Sequence, residues 1–135
     1  MNANLTFYLP ETGEIQAVYS GQNPEGQKAI FSEYAWIEGH YDHRTTYISA
    51  GEPMTRPTQV TEIDKTELIA DGVDAVTLSG APADAVFTAR SFETGESISG
   101  TLSDPDTFST VVPGLWKLKI EKFPYLSWEV VVNAV

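Results

Sequence analysis

The 135 residues contain no cysteine, which excludes a disulfide framework, a zinc–thiolate site and a thiol nucleophile. Basic residues are few: eight Lys and Arg stand against nineteen Asp and Glu, a formal net charge of −11. Contacts to a nucleic-acid backbone need clustered cations, and an anionic membrane surface attracts the same charge. Neither nucleic acid nor membrane insertion is expected. No apolar run approaches the roughly 20 residues that a membrane helix needs. The opening Met1-Asn2-Ala3-Asn4-Leu5 lacks a basic stretch followed by an apolar one, so a signal peptide is not expected and synthesis in the cytoplasm is. Internal repeats, low-complexity tracts and long helical periodicities are missing as well.

What is present reads as β-structure. Aliphatic and aromatic residues make up 41% of the chain, enough for one medium domain or two small ones. Leu5–Leu9 and Ile15–Tyr19 form a predicted hairpin across Pro10-Glu11-Thr12-Gly13, where Pro presets φ and Gly supplies a positive one. Residues 20–26 read as a polar connection. Gln27–Ile37 has no clean period and reads as a single helical turn leading into a strand at Tyr34–Glu38. Tyr47-Ile48 and Met54-Thr55 are short strands about a Gly51-Glu52 turn, and Pro53 and Pro57 keep them at an edge. Thr58–Lys65 is polar and reads as a linker. Seven short strands follow, at Thr66–Ile69, Ala75–Ser79, Ala85–Ser91, Glu96–Thr101, Thr107–Val112, Gly114–Lys122 and Trp128–Val132. The first two flank Asp71-Gly72, a dipeptide suited to a two-residue turn.

The expected fold is therefore all-β. A small N-terminal hairpin and irregular sheet, residues 1–60, precedes an immunoglobulin-like β-sandwich, residues 61–135. Strict alternation in Leu115–Ile120 turns Trp116, Leu118 and Ile120 inward. With Phe87, Phe108 and Val131 they are the expected core, each large side chain contributing roughly 1.5–3 kcal/mol on burial.

Chemistry is poorly represented. His40-x-Asp42-His43 carries imidazole and carboxylate suited to a transition metal. A tight site needs three or four ligands, and the chain has only these two histidines. Glu33, Glu38 or Glu52 would have to complete it, or copies of one His across a three-fold axis. The alternative is a polar turn in which Asp42 caps backbone N–H groups. Ser32 with His43 and Asp42 has the residue types of a triad but no Gly-x-Ser-x-Gly elbow. Asp71, Asp74, Asp104 and Asp106 could hold calcium, yet Ser103–Asp106 lacks the ligand spacing of a calcium loop. No phosphate loop or dinucleotide fingerprint exists. The expectation is no catalytic residue, no metal and no cofactor: the chain is not read as an enzyme.

Aromatic residues are the better functional signal, because Tyr and Trp serve as interface anchors. Phe7, Tyr8, Tyr34, Trp36, Tyr41, Tyr47, Tyr125 and Trp128 are the candidate interface residues. A Pro- and Gly-rich region of some sixty residues has difficulty building its own core, which favours burial of its aromatics against a partner.

Two resemblances fit this reading. Ala70-Asp71-Gly72-Val73-Asp74, with Leu78, resembles the opening strands of small bacterial immunoglobulin-like modules, which are usually structural or adhesive. Phe7, Tyr8 and Pro10–Ile15, then Gly39, Tyr41, Asp42, Tyr47, Ile48, Gly51, Arg56 and Pro57, then Phe123–Leu126 and Glu129 resemble, in that order, a family of small phage structural proteins. The departure is at His43–Thr46, where that family commonly carries a Pro- or Asp-containing turn. The resemblance spans nearly the whole chain. It implies a non-enzymatic virion component associated with the tail, tail tip or tail-fibre attachment. Its partners would be other virion proteins, tail or fibre components, and further copies of itself as a homo-oligomer. The alternatives are a capsid decoration or head-fibre protein and a host-adhesion or carbohydrate-binding module.

Overall fold

A computed structural model describes residues 3–103 and 105–135. The described residues are all-β apart from one short helix, and the chain divides into two compact units, the first ending at Pro57 and the second running from Thr58 to Val135. Among the described residues no helix is long and apolar enough to cross a membrane.

In the first unit, β1 (Ala3–Tyr8) lies between β2 (Ile15–Gly21) and β3 (Ala35–Glu38), all antiparallel. Gly13 takes the positive φ that the hairpin needs, and a Cβ there would overlap the Ile48 carbonyl. That close approach lets the Ile48 N–H donate to the Gly13 carbonyl, which ties the hairpin of β4 (Thr46–Ser49) and β5 (Glu52–Thr55) to the first turn. Ala50 and Gly51 both have positive φ at the tip, as a type I′ turn requires. The turn sits one residue earlier than the sequence suggests. The helix α1 (Pro24–Ile30) also begins earlier than expected, inside the stretch read as a connection. Asn23 caps it through its side chain, accepting from the Gly26 N–H, and Pro24 occupies the first turn.

In the second unit, a five-stranded sheet has the order β10-β9-β12-β13-β7 and a three-stranded sheet the order β11-β8-β6. Their ranges are β6 (Glu62–Ile63), β7 (Glu67–Leu68), β8 (Val76–Ser79), β9 (Val86–Ser91), β10 (Ser97–Thr101), β11 (Asp106–Phe108), β12 (Gly114–Glu121) and β13 (Trp128–Ala134). β7 runs parallel to β13 and every other pair is antiparallel. This order is consistent with an immunoglobulin-like sandwich, and among the described residues β11 ends the smaller sheet. Leu68, Val76, Ala89, Phe108, Trp116, Leu118, Val132 and Ala134 from both sheets form one buried cluster, and Leu78, Ala81, Ala85, Leu102 and Ile120 a second. The Trp116 ring packs 5.3 Å from Phe108, and its Nε1–H donates to the Val112 carbonyl at 3.0 Å.

Three expectations need correction. Val131 faces outward, 48% exposed, and Val132 is the buried residue. The run Val130-Val131-Val132 has no period of its own, and register with β12 decides: Val131 stands opposite the outward Lys117. Asp71-Gly72 does not close a hairpin, because β7 and β8 belong to different sheets. The turn carries the chain from one sheet to the other. Asp71 Oδ1 accepts from the Val73 and Asp74 N–H groups, and Asp74 accepts from the Ile69 N–H and from Lys65. Finally, Thr58–Lys65 is no linker. Gln59 is buried, its Nε2 donating to the carbonyls of Ile120 and Leu126, both at 2.9 Å, while its Oε1 accepts from Thr61 Oγ1 at 2.7 Å. β6 follows directly and pairs with β8.

Two outcomes follow for equilibrium unfolding in denaturant. Gln59→Ala, which leaves those carbonyls without their donor, lowers stability by about 2–3 kcal/mol. Trp116→Ala costs about 3–5 kcal/mol, whereas Val131→Ala stays within about 0.5 kcal/mol of wild type. Equal losses at 116 and 131 would show that the wrong face of the sheet has been taken as core.

Candidate functional site

In the first unit a groove of about 630 Å³ lies between Ile15–Val18 of β2 and residues 40–44. Thr6, buried on β1, holds the start of that loop: its Oγ1 donates to the Gly39 carbonyl and accepts from the Tyr41 N–H. Asp42 then organises the loop as a turn. Its Oδ1 accepts from the Arg44 N–H at 2.9 Å, and its carbonyl accepts from the N–H groups of Thr45 and Thr46. The Arg44 guanidinium spans both carboxylate oxygens, Nε to Oδ1 at 3.1 Å and Nη2 to Oδ2 at 2.9 Å. The Arg44 side chain, and then its backbone N–H, lower the Asp42 pKa to about 2.

The histidines do not assemble a metal site with Asp42. His40 Nε2 lies 2.9 Å from the Tyr19 carbonyl, and since a carbonyl only accepts, that nitrogen carries the proton. His43 Nδ1 stands 3.8 Å from Asp42 Oδ1. Among the described residues no group of three or more His, Asp or Glu is placed to hold a metal ion. Of the four aspartates considered for calcium, Asp71 and Asp74 build the inter-sheet turn. Asp106 accepts from the Ser103 and Thr107 N–H groups, and Asp104 lies outside the described residues.

The eight aromatic candidates separate. Phe7 is fully buried, its ring 5.0 Å from Phe31, so it belongs to the interior and its expected role as a contact is corrected. It lies on the central strand β1, and the packed ring of Phe31 covers it. Trp128 is half-buried and packs against the second core cluster. Trp36 is 41% exposed, with the Lys28 ammonium 3.6 Å from its ring centroid, so a cation already occupies one face of the indole. Tyr8, Tyr34, Tyr41, Tyr47 and Tyr125 are all half-buried. Tyr41 lines the groove beside β2.

The feature that sequence reasoning missed is the place of β10: a strand is expected at Glu96–Thr101, and the structure sets it at a sheet edge. Ser97-Ile98-Ser99-Gly100-Thr101 forms one edge of the five-stranded sheet, and all five residues are exposed. It pairs with β9 in continuous register, without a bulge. It carries no charge and no proline. The available signal was its composition, small and neutral in a chain where one residue in five is charged.

No family model matches the chain, and no curated protein matches it. A solved glycosyl hydrolase family 2 member from Bacteroides cellulosilyticus is similar over 98% of this chain and 21% of that one, at 12% identity and a TM-score of 0.36. This chain spans about a fifth of that protein's length, and a likeness so slight bears on neither fold nor function.

The depressed Asp42 pKa has a definite sign. A carboxylate held below its ordinary 3.8 contributes above that value, and its contribution is lost as pH falls toward about 2. A carbon-13 NMR titration of the Asp42 carboxyl is expected to give a midpoint near 2, moving up in Arg44→Ala. A midpoint near 3.8 in the parent chain would mean that the Arg44 fork does not persist in solution.

Proposed function

We propose that this chain is a non-enzymatic bacteriophage virion structural protein, associated with the tail, tail tip or tail-fibre attachment, which acts by protein–protein docking. The resemblance from Phe7 to Glu129 supplies the setting. The single observation that supports docking is the bare edge of β10. An unpaired edge presents a row of backbone N–H and C=O groups to any extended strand, and proteins usually blunt such rows. Main-chain hydrogen bonds give such a contact its affinity, and alternate side chains give it selectivity. A platform for sugar rings is less well supported, because Lys28 covers one face of Trp36, the most exposed of the eight candidate interface aromatics.

Co-sedimentation of the purified chain with separated tails and heads tests this reading. Binding to tails and not to heads is expected. Binding to heads alone would move the assignment to capsid decoration, and binding to neither would overturn it.

A further inference from the structure

We infer that β10 pairs with β10 of a second copy, antiparallel about a two-fold axis centred on Ser99, joining two five-stranded sheets into one. The inference rests on the docking reading and names the partner at that edge.

The first observation is which backbone groups face outward. At one end of the β9–β10 hairpin the Ser91 N–H donates to the Glu96 carbonyl, and at the other the Leu102 N–H donates to the Ala85 carbonyl. Glu96 and Leu102 are both even-numbered, and the register between them is unbroken. Residues of that parity therefore turn their N–H and C=O toward β9, since bonded and non-bonded positions alternate in an antiparallel ladder. Ser97, Ser99 and Thr101 turn theirs away. A second strand finds its donors and acceptors at those three residues.

The second observation is that the segment is complementary to itself in that register. Centred on Ser99, the bonded pairs are Ser99 with Ser99 of the second copy and Ser97 with Thr101, each exchanging two backbone hydrogen bonds. Their hydroxyls lie on one face, where Ser and Thr pairs across strands hydrogen-bond. The non-bonded pair is Ile98 with Gly100, the position where strands approach most closely. Ile98 is an apolar side chain left 49% exposed. At Gly100 an added Cβ would meet no atom within 4 Å. Ile98 and Gly100 stand opposite Ala89 and Phe87 of β9, on the core side of the sheet. A recess of about 160 Å³ lies there, lined by Phe87, Gly100 and Leu102, by the same copy's Ile98 and, from β11, by Asp106 and Thr107. Each copy thus offers an Ile98 knob and a Gly100 recess to the other.

The third observation is charge. With a net charge of −11, copies repel one another, and a self-contact needs a surface where carboxylates do not meet. β10 has none. In the register centred on Ser99, the flanking Glu96 faces Leu102 of the second copy rather than Glu96. Two five-residue edges bury less than the roughly 1,600 Å² of a standard interface, so the pairing is a concentration-dependent equilibrium.

The chain has no cysteine, so a single introduced thiol reports its own neighbours. Ser99→Cys puts its two Cα atoms about 5.5 Å apart across the axis, within disulfide range. Ser97→Cys puts them about 14 Å apart, four residues at about 3.4 Å each. Under mild oxidation Ser99→Cys is expected to give a covalent dimer at least about tenfold faster than Ser97→Cys. Light scattering of the parent chain over a concentration series should rise toward twice the monomer mass. Ser99→Pro removes an N–H that β9 does not use, so it should stay monomeric with an unchanged circular dichroism spectrum. A parent chain that stays monomeric throughout, or equal cross-linking at 97 and 99, overturns the inference. If Ser99→Pro unfolds, Ile98→Lys on the same face replaces it, and a dimer undiminished in that variant is equally fatal. A monomeric parent that still binds tails overturns self-pairing and keeps the docking reading. A dimer that binds no virion part does the reverse.

Discussion

A sheet that does not close on itself has to end, and each end leaves backbone donors and acceptors without a strand partner. This constraint organises both units. In the first, the loop built on Asp42 stands beside β2, and His40 at its start hydrogen-bonds the Tyr19 carbonyl of that strand. β5 carries Pro53, which has no N–H to offer. In the second, β6 and β7 are two residues long, and β11 is three, with Asp106 turned onto local N–H groups. Each of these edges is short, blocked by proline or occupied by a side chain. β10 is none of these.

The same accounting explains how the chain passes between sheets. Two sheets packed face to face need connections that leave one ladder and join another, and at those points side chains supply the missing partners. Asp71 and Asp74 do so between β7 and β8, where backbone N–H groups lower the Asp71 pKa and Lys65 lowers that of Asp74. Gln59 does so inside the unit, where an amide can both donate twice and accept. The acidity of the chain is thus partly architectural: several of its carboxylates are hydrogen-bond acceptors for turns.

Legibility in the sequence tracked how local the deciding interaction is. The alternation of Leu115–Ile120 placed Trp116, Leu118 and Ile120 in the core without any knowledge of neighbours, because a period of two is a property of the strand itself. The three valines of β13 carried no such signal, and only register with Lys117 settles which one is buried. Asn23-Pro24 did contain the start of α1, as cap and first-turn residue, in a stretch whose polarity suggested a loop. Gln59 was hidden by polarity too: its burial depends on carbonyls some sixty positions away. The site divides in the same manner. Asp42 as a turn-former could be read from its neighbours. That Ser97–Thr101 would lie at an edge depends on strand order across the whole unit, which no window of residues contains.

The parallel pairing of β7 with β13 has a mechanical consequence. These strands run in the same direction, linked by the Asn133 N–H to the Thr66 carbonyl, the Val135 N–H to the Leu68 carbonyl and the Ala70 N–H to the Val135 carbonyl. Tension applied at the amino end of β7 and the carboxyl end of β13 pulls along both strands in opposite senses. The bonds are then loaded together in shear instead of opening one at a time, so the sandwich resists stretching along that axis better than it resists peeling across it.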